Sequence, residues 1–370
     1  MIASNTFQTK ILLLQCTRHW PPCDLDKPHL PQKLPLLFRW LDWIPARFGL
    51  EDLKSFPGIA NTRNVDGLKK RKVGAWLVEP SGGLESSSSS DGQTAKKRKK
   101  GLVLYFKGRS GHRGQRSRIR MYEKLTRDPL GMHCVAFDGP ADSEEEASER
   151  NVLVTAYAVW SVLTKPPYAF DRSSIVIWGS TFGCCSAANL CLYLMRQGNP
   201  PAALILESPS TSFPKLLASR FEYLGVQIQS RIEELAKTNL FHRFDLEKRI
   251  RSICSFNLNV PLLIISPQHG WAMPAAHAQR LADLASAHAA SSKQVQLLSL
   301  PITRSELVSD DNFLDATSAF LNQALIDAKQ STFPRNLSVE FGGSPATWAS
   351  DQTADDHLFE NENVDVPFGL

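Results

Sequence analysis

From Gly101 onward, short apolar runs alternate with longer amphipathic stretches. Leu102-Val103-Leu104-Tyr105-Phe106, Ala203-Leu204-Ile205-Leu206 and Leu262-Leu263-Ile264-Ile265 are apolar throughout. Continuous runs of this length predict strands buried on both faces. Further strands are predicted over 72–80, 132–137, 174–178 and 295–300. The segments 119–126, 152–163, 182–196, 277–289 and 313–328 carry apolar positions at helical spacing and predict helices. Strictly alternating strands and helices imply an α/β fold, a mostly parallel sheet with helices on both faces and right-handed crossovers. Residues 214–259 break the rhythm with a helical pattern, clearest over 232–240. A cap-like helical insertion is expected there, over the carboxyl ends of the strands, where open α/β sheets bind ligands.

Composition narrows the picture. A chain of 370 residues with 42% hydrophobic content can bury one large domain with tails. The net charge of +5 is concentrated in Lys69-Lys70-Arg71-Lys72 and Lys96-Lys97-Arg98-Lys99-Lys100. That is a local patch rather than a nucleic-acid-binding face, so no nucleic-acid partner is expected. The second run ends a Ser-rich low-complexity loop, 82–101, expected to be mobile and solvated. Residues 1–47 are rich in proline and aromatics, and an amphipathic helix over 36–48 is expected to cover one end of the domain, the alternative being contact with a membrane interface. Residues 48–330 form the domain, and 331–370 read as a disordered acidic tail. Seven cysteines in apolar surroundings do not form a disulfide framework. No apolar run is long enough to span a bilayer.

The densest chemical signal is Ile175-Val176-Ile177-Trp178-Gly179-Ser180-Thr181-Phe182-Gly183-Cys184. An apolar strand runs into Gly-x-hydroxyl-x-Gly and then a helix with small residues. This resembles the elbow that carries the nucleophile in α/β-hydrolases, with threonine at the apex. Ser180, one residue early, is expected to point away from the apex. There is no Cys-x-x-Cys pair at zinc spacing and no His-x-x-x-His, so neither metal nor cofactor is expected.

Longer blocks carry a more specific likeness. They are Phe48-Gly49-Leu50, Gly74-Ala75-Trp76, Gly111-His112-Arg113-Gly114, Ser148-Glu149-Arg150 and Ala203-Leu204-Ile205-Leu206-Glu207-Ser208-Pro209. On these the chain resembles the α/β-hydrolase domain-containing protein 12 group, the lysophosphatidylserine and monoacylglycerol lipases. The resemblance implies an α/β-hydrolase fold, lipid-ester chemistry, a lysophospholipid-like ligand, a possible membrane surface as partner, and a place at the endoplasmic reticulum membrane. The alternative location is cytoplasmic. It also implies a Ser-His-Asp triad, which this chain does not keep. The serine position is Thr181. The aspartate position falls in Ser266-Pro267-Gln268-His269-Gly270, where His269 is the imidazole that would have to swing in. The histidine position falls in Ile302-Thr303-Arg304-Ser305, and an arginine cannot serve as a base. By resemblance, Gly108 and Phe182 frame the oxyanion site. Lys107 and Arg109 would meet an anionic head group.

Two functions follow as expectations. The first is a pseudohydrolase that binds a lipid or a partner without turnover. The alternative is a divergent esterase or lipase of low activity with Thr181 as nucleophile.

Overall fold

A computed structural model describes residues 54–60, 71–80, 101–108, 113–137, 149–240, 243–256, 260–269, 273–289, 291 and 294–330. The expectations for 1–47, the 82–101 loop up to residue 100 and 331–370 lie outside these residues.

The strands are β1 (Lys54–Ala60), β2 (Arg71–Val78), β3 (Leu102–Phe106), β4 (His133–Phe137), β5 (Ile175–Ser180), β6 (Ala203–Glu207), β7 (Leu262–His269) and β8 (Val295–Thr303). They form one sheet in the order β1-β2-β4-β3-β5-β6-β7-β8. The β1–β2 and β2–β4 pairs are antiparallel, and every pair from β4 to β8 is parallel. The helices are α1 (Arg116–Thr126), α2 (Glu149–Leu163), α3 (Gly183–Arg196), α4 (Phe213–Ser219), α5 (Val226–Asn239), α6 (Leu246–Ser255), α7 (Ala275–His288) and α8 (Asp311–Gln330).

Side-chain alternation along the strands sorts the core into two layers. Leu102, Leu104, Phe106, Ile175 and Ile177 pack with α2, α3, α6 and α7 on one face. Val103, Tyr105, Val176 and Trp178 pack with α1 and α8 on the other. This is the expected parallel sheet covered on both sides.

Two features escaped the hydrophobic pattern. Strand β1 contains Pro57 and Gly58, which weaken any strand signal but are tolerated on an edge strand. Strands β7 and β8 run past their apolar cores to His269 and Thr303, held by the pairings Ser266↔Ser299 and His269↔Thr303. The insertion comprises α4, α5 and α6. Leu246, Ile250, Ile253 and Cys254 bury the inner face of α6, whereas α5 buries only Ala236.

The expected place at the endoplasmic reticulum membrane is corrected. Among the described residues no helix is long and apolar enough to cross a membrane. The 20-residue α8 has the length, but Asp311, Asp315, Asp327 and Lys329 break its apolar character.

Candidate active site

The carboxyl ends of β3, β5 and β6 build the site. Strand β5 stays in register with β6 as far as Ser180↔Glu207. The next residue leaves the sheet: Thr181 has φ +52°. A β-branched residue in the left-handed region is a steric outlier, costing about 1–3 kcal/mol. The turn is held by its own hydrogen bonds. The Thr181 N–H donates to the Glu207 carbonyl at 2.8 Å, and the Cys184 N–H donates to the Thr181 carbonyl at 3.1 Å.

The elbow glycines are required by close approach. A Cβ on Gly179 would lie 2.5 Å from Cys184 Cα, and one on Gly183 would lie 2.4 Å from the Phe106 carbonyl oxygen. Helix α3 can therefore start hard against the end of β3. The Thr181 hydroxyl faces Gly108, where a Cβ would come within 2.2 Å of Oγ1. Arg118, a buried residue of α1, donates to the Gly108 carbonyl at 3.3 Å and braces that strand end. Phe182 follows the apex, and its ring meets Phe213 of α4 with centroids 6.0 Å apart, joining the elbow to the insertion.

Beneath the apex lies a polar network of buried Glu207 and Ser180 with Arg304, whose side chain stays 47% exposed. Glu207 is 1% exposed and would be costly alone. Its Oε2 accepts from Trp178 Nε1 at 3.2 Å, and its Oε1 accepts from Ser180 Oγ at 3.1 Å and from Arg304 Nε at 2.8 Å. Arg304 also donates through Nη2 to Ser180 Oγ at 2.6 Å. Partial burial is the largest single influence on Arg304 and disfavours its charge, but the Glu207 carboxylate and its hydrogen bond, together with the neighbouring Tyr105 and Cys184, hold the guanidinium above its ordinary range. Burial, then the same carboxylate, pushes the Tyr105 phenol up, so it stays protonated beneath the elbow. The Cys184 thiol is also pushed well up by burial and donates to the Gly179 carbonyl at 3.3 Å, which makes it an inert packing group.

The sequence-derived residues fall into three groups. Thr181, Gly108 and Phe182 come together at the elbow. Lys107 is half-buried, with its carbonyl oxygen 2.6 Å from where a Gly183 Cβ would sit, while Arg109 lies outside the described residues. His269 is an exposed strand residue paired with Thr303, rather than part of a loop turned into the site. No hydrogen bond from a described residue reaches the Thr181 hydroxyl, and His269 makes none to it. Ser180 points away from the apex, as expected, and into the Glu207–Arg304 network.

Sequence reasoning missed two things. The pairing of Glu207 with Arg304 joins positions 97 residues apart, and only a buried acidic residue at a strand end hinted at it. His277 of α7 is buried and shares a 2.9 Å hydrogen bond between Nδ1 and Thr211 Oγ1. Burial, with Lys215 nearby, lowers its pKa from the ordinary 6.5. Among the described residues no group of three or more His, Cys, Asp or Glu side chains could hold a metal ion.

Comparison with solved structures places this geometry. An α/β-hydrolase from Vibrio vulnificus superposes with a TM-score of 0.51 at 15% identity, over 80% of this chain and 88% of its own. A fungal esterase from Rhizomucor miehei gives 0.53 at 14% identity, over 83% and 96%. The chain is an α/β-hydrolase-fold protein. No family model matches it. Among curated proteins, lysophosphatidylserine lipase ABHD12 of Danio rerio is 28% identical over 223 residues, 58% of this chain and 55% of that protein. The Mus musculus lipase of the same name is 32% identical over 145 residues, 38% of this chain and 35% of that protein. The α/β-hydrolase-fold chain is thus distantly related to these lipases and matches about half of their length or less.

Proposed function

We propose that the protein binds lipid-type carboxylic esters at the elbow and hydrolyses them slowly, with the Thr181 hydroxyl as the attacking group. The single observation that carries this reading is the φ of +52° at Thr181. A strained apex persists only where its surroundings over-determine it, and such strain clusters at functional sites. The names of the distant relatives add to it, and they favour an ester hydrolase over a protein that has lost catalysis. In the proposed reaction Thr181 Oγ1 attacks the acyl carbonyl, the alcohol leaves, and water releases the acid from the acyl-enzyme. The Phe182 N–H and the Gly108 strand end are the proposed oxyanion frame, and Lys107 and Arg109 the proposed head-group contacts. Among the described residues no imidazole is bonded to Thr181, so the proposed proton acceptor is solvent, or His269 after the end of β7 moves. Turnover without a positioned base is lower by ~10⁶-fold relative to a complete triad. Monoacylglycerols and lysophosphatidylserine are the proposed substrate class.

A second reading, a lipid-binding pseudohydrolase, rests on one observation. Arg304, locked to Glu207, stands where the resemblance puts the histidine. Labelling with a fluorophosphonate, together with monoacylglycerol and lysophosphatidylserine hydrolysis assays, separates the two. Labelling and turnover that both vanish in Thr181→Ala support the hydrolase. Lysophosphatidylserine binding without label or turnover supports the second reading. Turnover unchanged in Thr181→Ala rejects Thr181 as the nucleophile.

A further inference from the structure

Glu207 acts on the elbow twice. Its carbonyl takes the Thr181 N–H at 2.8 Å, and its carboxylate takes Ser180 at 3.1 Å. The residue before the apex and the apex itself therefore hang from one residue of the neighbouring strand. Arg304 closes the arrangement from the end of β8, with Nε on Glu207 at 2.8 Å and Nη2 on Ser180 at 2.6 Å. One planar guanidinium spans both groups, which an ammonium on a flexible stem cannot reproduce. Arg304 is itself held in place. Thr303, the last residue of β8, donates through N–H at 2.7 Å and through its hydroxyl at 2.8 Å to Glu306 Oε2. The Glu306 N–H donates back to the Thr303 carbonyl at 3.1 Å. This tight turn fixes the chain on both sides of Arg304.

We infer that Arg304 is a positioning residue that, through Glu207 and Ser180, holds Thr181 in its left-handed conformation at the elbow. The inference rests on the proposed role of Thr181 for its functional meaning, but the positioning itself can be measured without turnover. Amide hydrogen exchange of the full chain reads it, comparing peptides over 178–186 with peptides over 102–106. In Arg304→Met, exchange over 178–186 rises at least tenfold while 102–106 is unchanged. Arg304→Lys, which keeps the charge but loses the fork, falls between Met and wild type. Where Arg304→Met fails to fold, Glu207→Gln/Arg304→Met removes the unpaired carboxylate and shows the same local rise. Unchanged exchange at the elbow overturns the inference. So does a rise shared equally by both segments, or a Lys variant indistinguishable from wild type, since a purely structural counter-ion gives those patterns. A wild type that fluorophosphonate does not label rejects the proposed hydrolysis and leaves the exchange result standing. If the wild type does label, Arg304→Met reduces the labelling rate at least tenfold with KM for a short ester unchanged. Undiminished labelling overturns the inference.

Discussion

At the residue scale, the elbow turns on contacts shorter than a methyl group can tolerate. A Cβ on Gly183 would sit 2.4 and 2.6 Å from the backbone oxygens of Phe106 and Lys107, and neither can move without shifting β3. Gly225, with φ +90°, has nothing within 4 Å of where its Cβ would sit. Gly183→Ala is therefore expected to cost about 3 kcal/mol or more, as overpacking against rigid backbone does. Gly225→Ala, at φ +90° and ψ 158°, is expected to cost only the backbone penalty of about 1–3 kcal/mol. Urea midpoints of the two variants give the comparison, and equal losses would contradict the steric account. Thr181 itself carries a methyl that crowds a strained turn. Thr181→Ser keeps the hydroxyl and sheds that methyl. Its fluorophosphonate labelling is expected to be about tenfold faster, a gain worth about 1.4 kcal/mol in the barrier. A serine variant that labels no faster than wild type would argue that crowding does not limit attack.

At the element scale, the insertion has two unequal parts. Helix α6 belongs to the main core, with Ile250 fully buried, and it is tied to α2 through Glu149. The Glu149 carboxylate accepts the Phe244 N–H at 2.8 Å and lies 3.6 Å from Arg249 Nη2. Helix α5 instead leaves Val226, Ile228 and Leu235 exposed. Ile250→Ala is expected to lose about 2–5 kcal/mol through the cavity it creates. Leu235→Ala is expected to stay within about 0.5 kcal/mol of wild type. Chemical denaturation of both variants checks the division, and a large loss at Leu235 would mean that α5 is part of the cooperative core. The last strand plays a similar double role. Its apolar part, 295–300, completes the sheet, while its polar end delivers Arg304 to the elbow.

At the scale of the whole molecule, the buried His277 couples stability to pH. It sits on α7 and bonds Thr211 of the loop after β6. Lys215 beside it disfavours its charge, and Glu247 favours it less strongly than burial and Lys215 oppose it. The folded protein therefore resists protonating His277, whereas the unfolded chain binds the proton near the ordinary 6.5. Its contribution is complete above that value. It begins to fall as pH drops below 6.5 and is lost once the pH passes the lower folded-state value. Urea midpoints measured from about pH 7.5 to pH 5 should fall more steeply for wild type than for His277→Gln. Parallel slopes would show that His277 is not the group responsible. The sequence by itself determined the alternation of strand and helix, the buried faces of β3, β5, β6 and β7, the elbow with Thr181 at its apex, and the outward turn of Ser180. These follow from periodicity and local steric rules, which act over a few residues. It did not reveal β1, whose Pro57 and Gly58 hide a strand that forms by pairing with β2, nor the polar ends of β7 and β8. It offered His269 as a residue that would swing toward the apex, and pairing with Thr303 places that residue on an exposed strand end. Only the tertiary structure decided that Glu207 meets Arg304 and Ser180, and that His277 meets Thr211. Such partners are far apart in the chain, and desolvation of a buried charge selects them only after the sheet has closed around it.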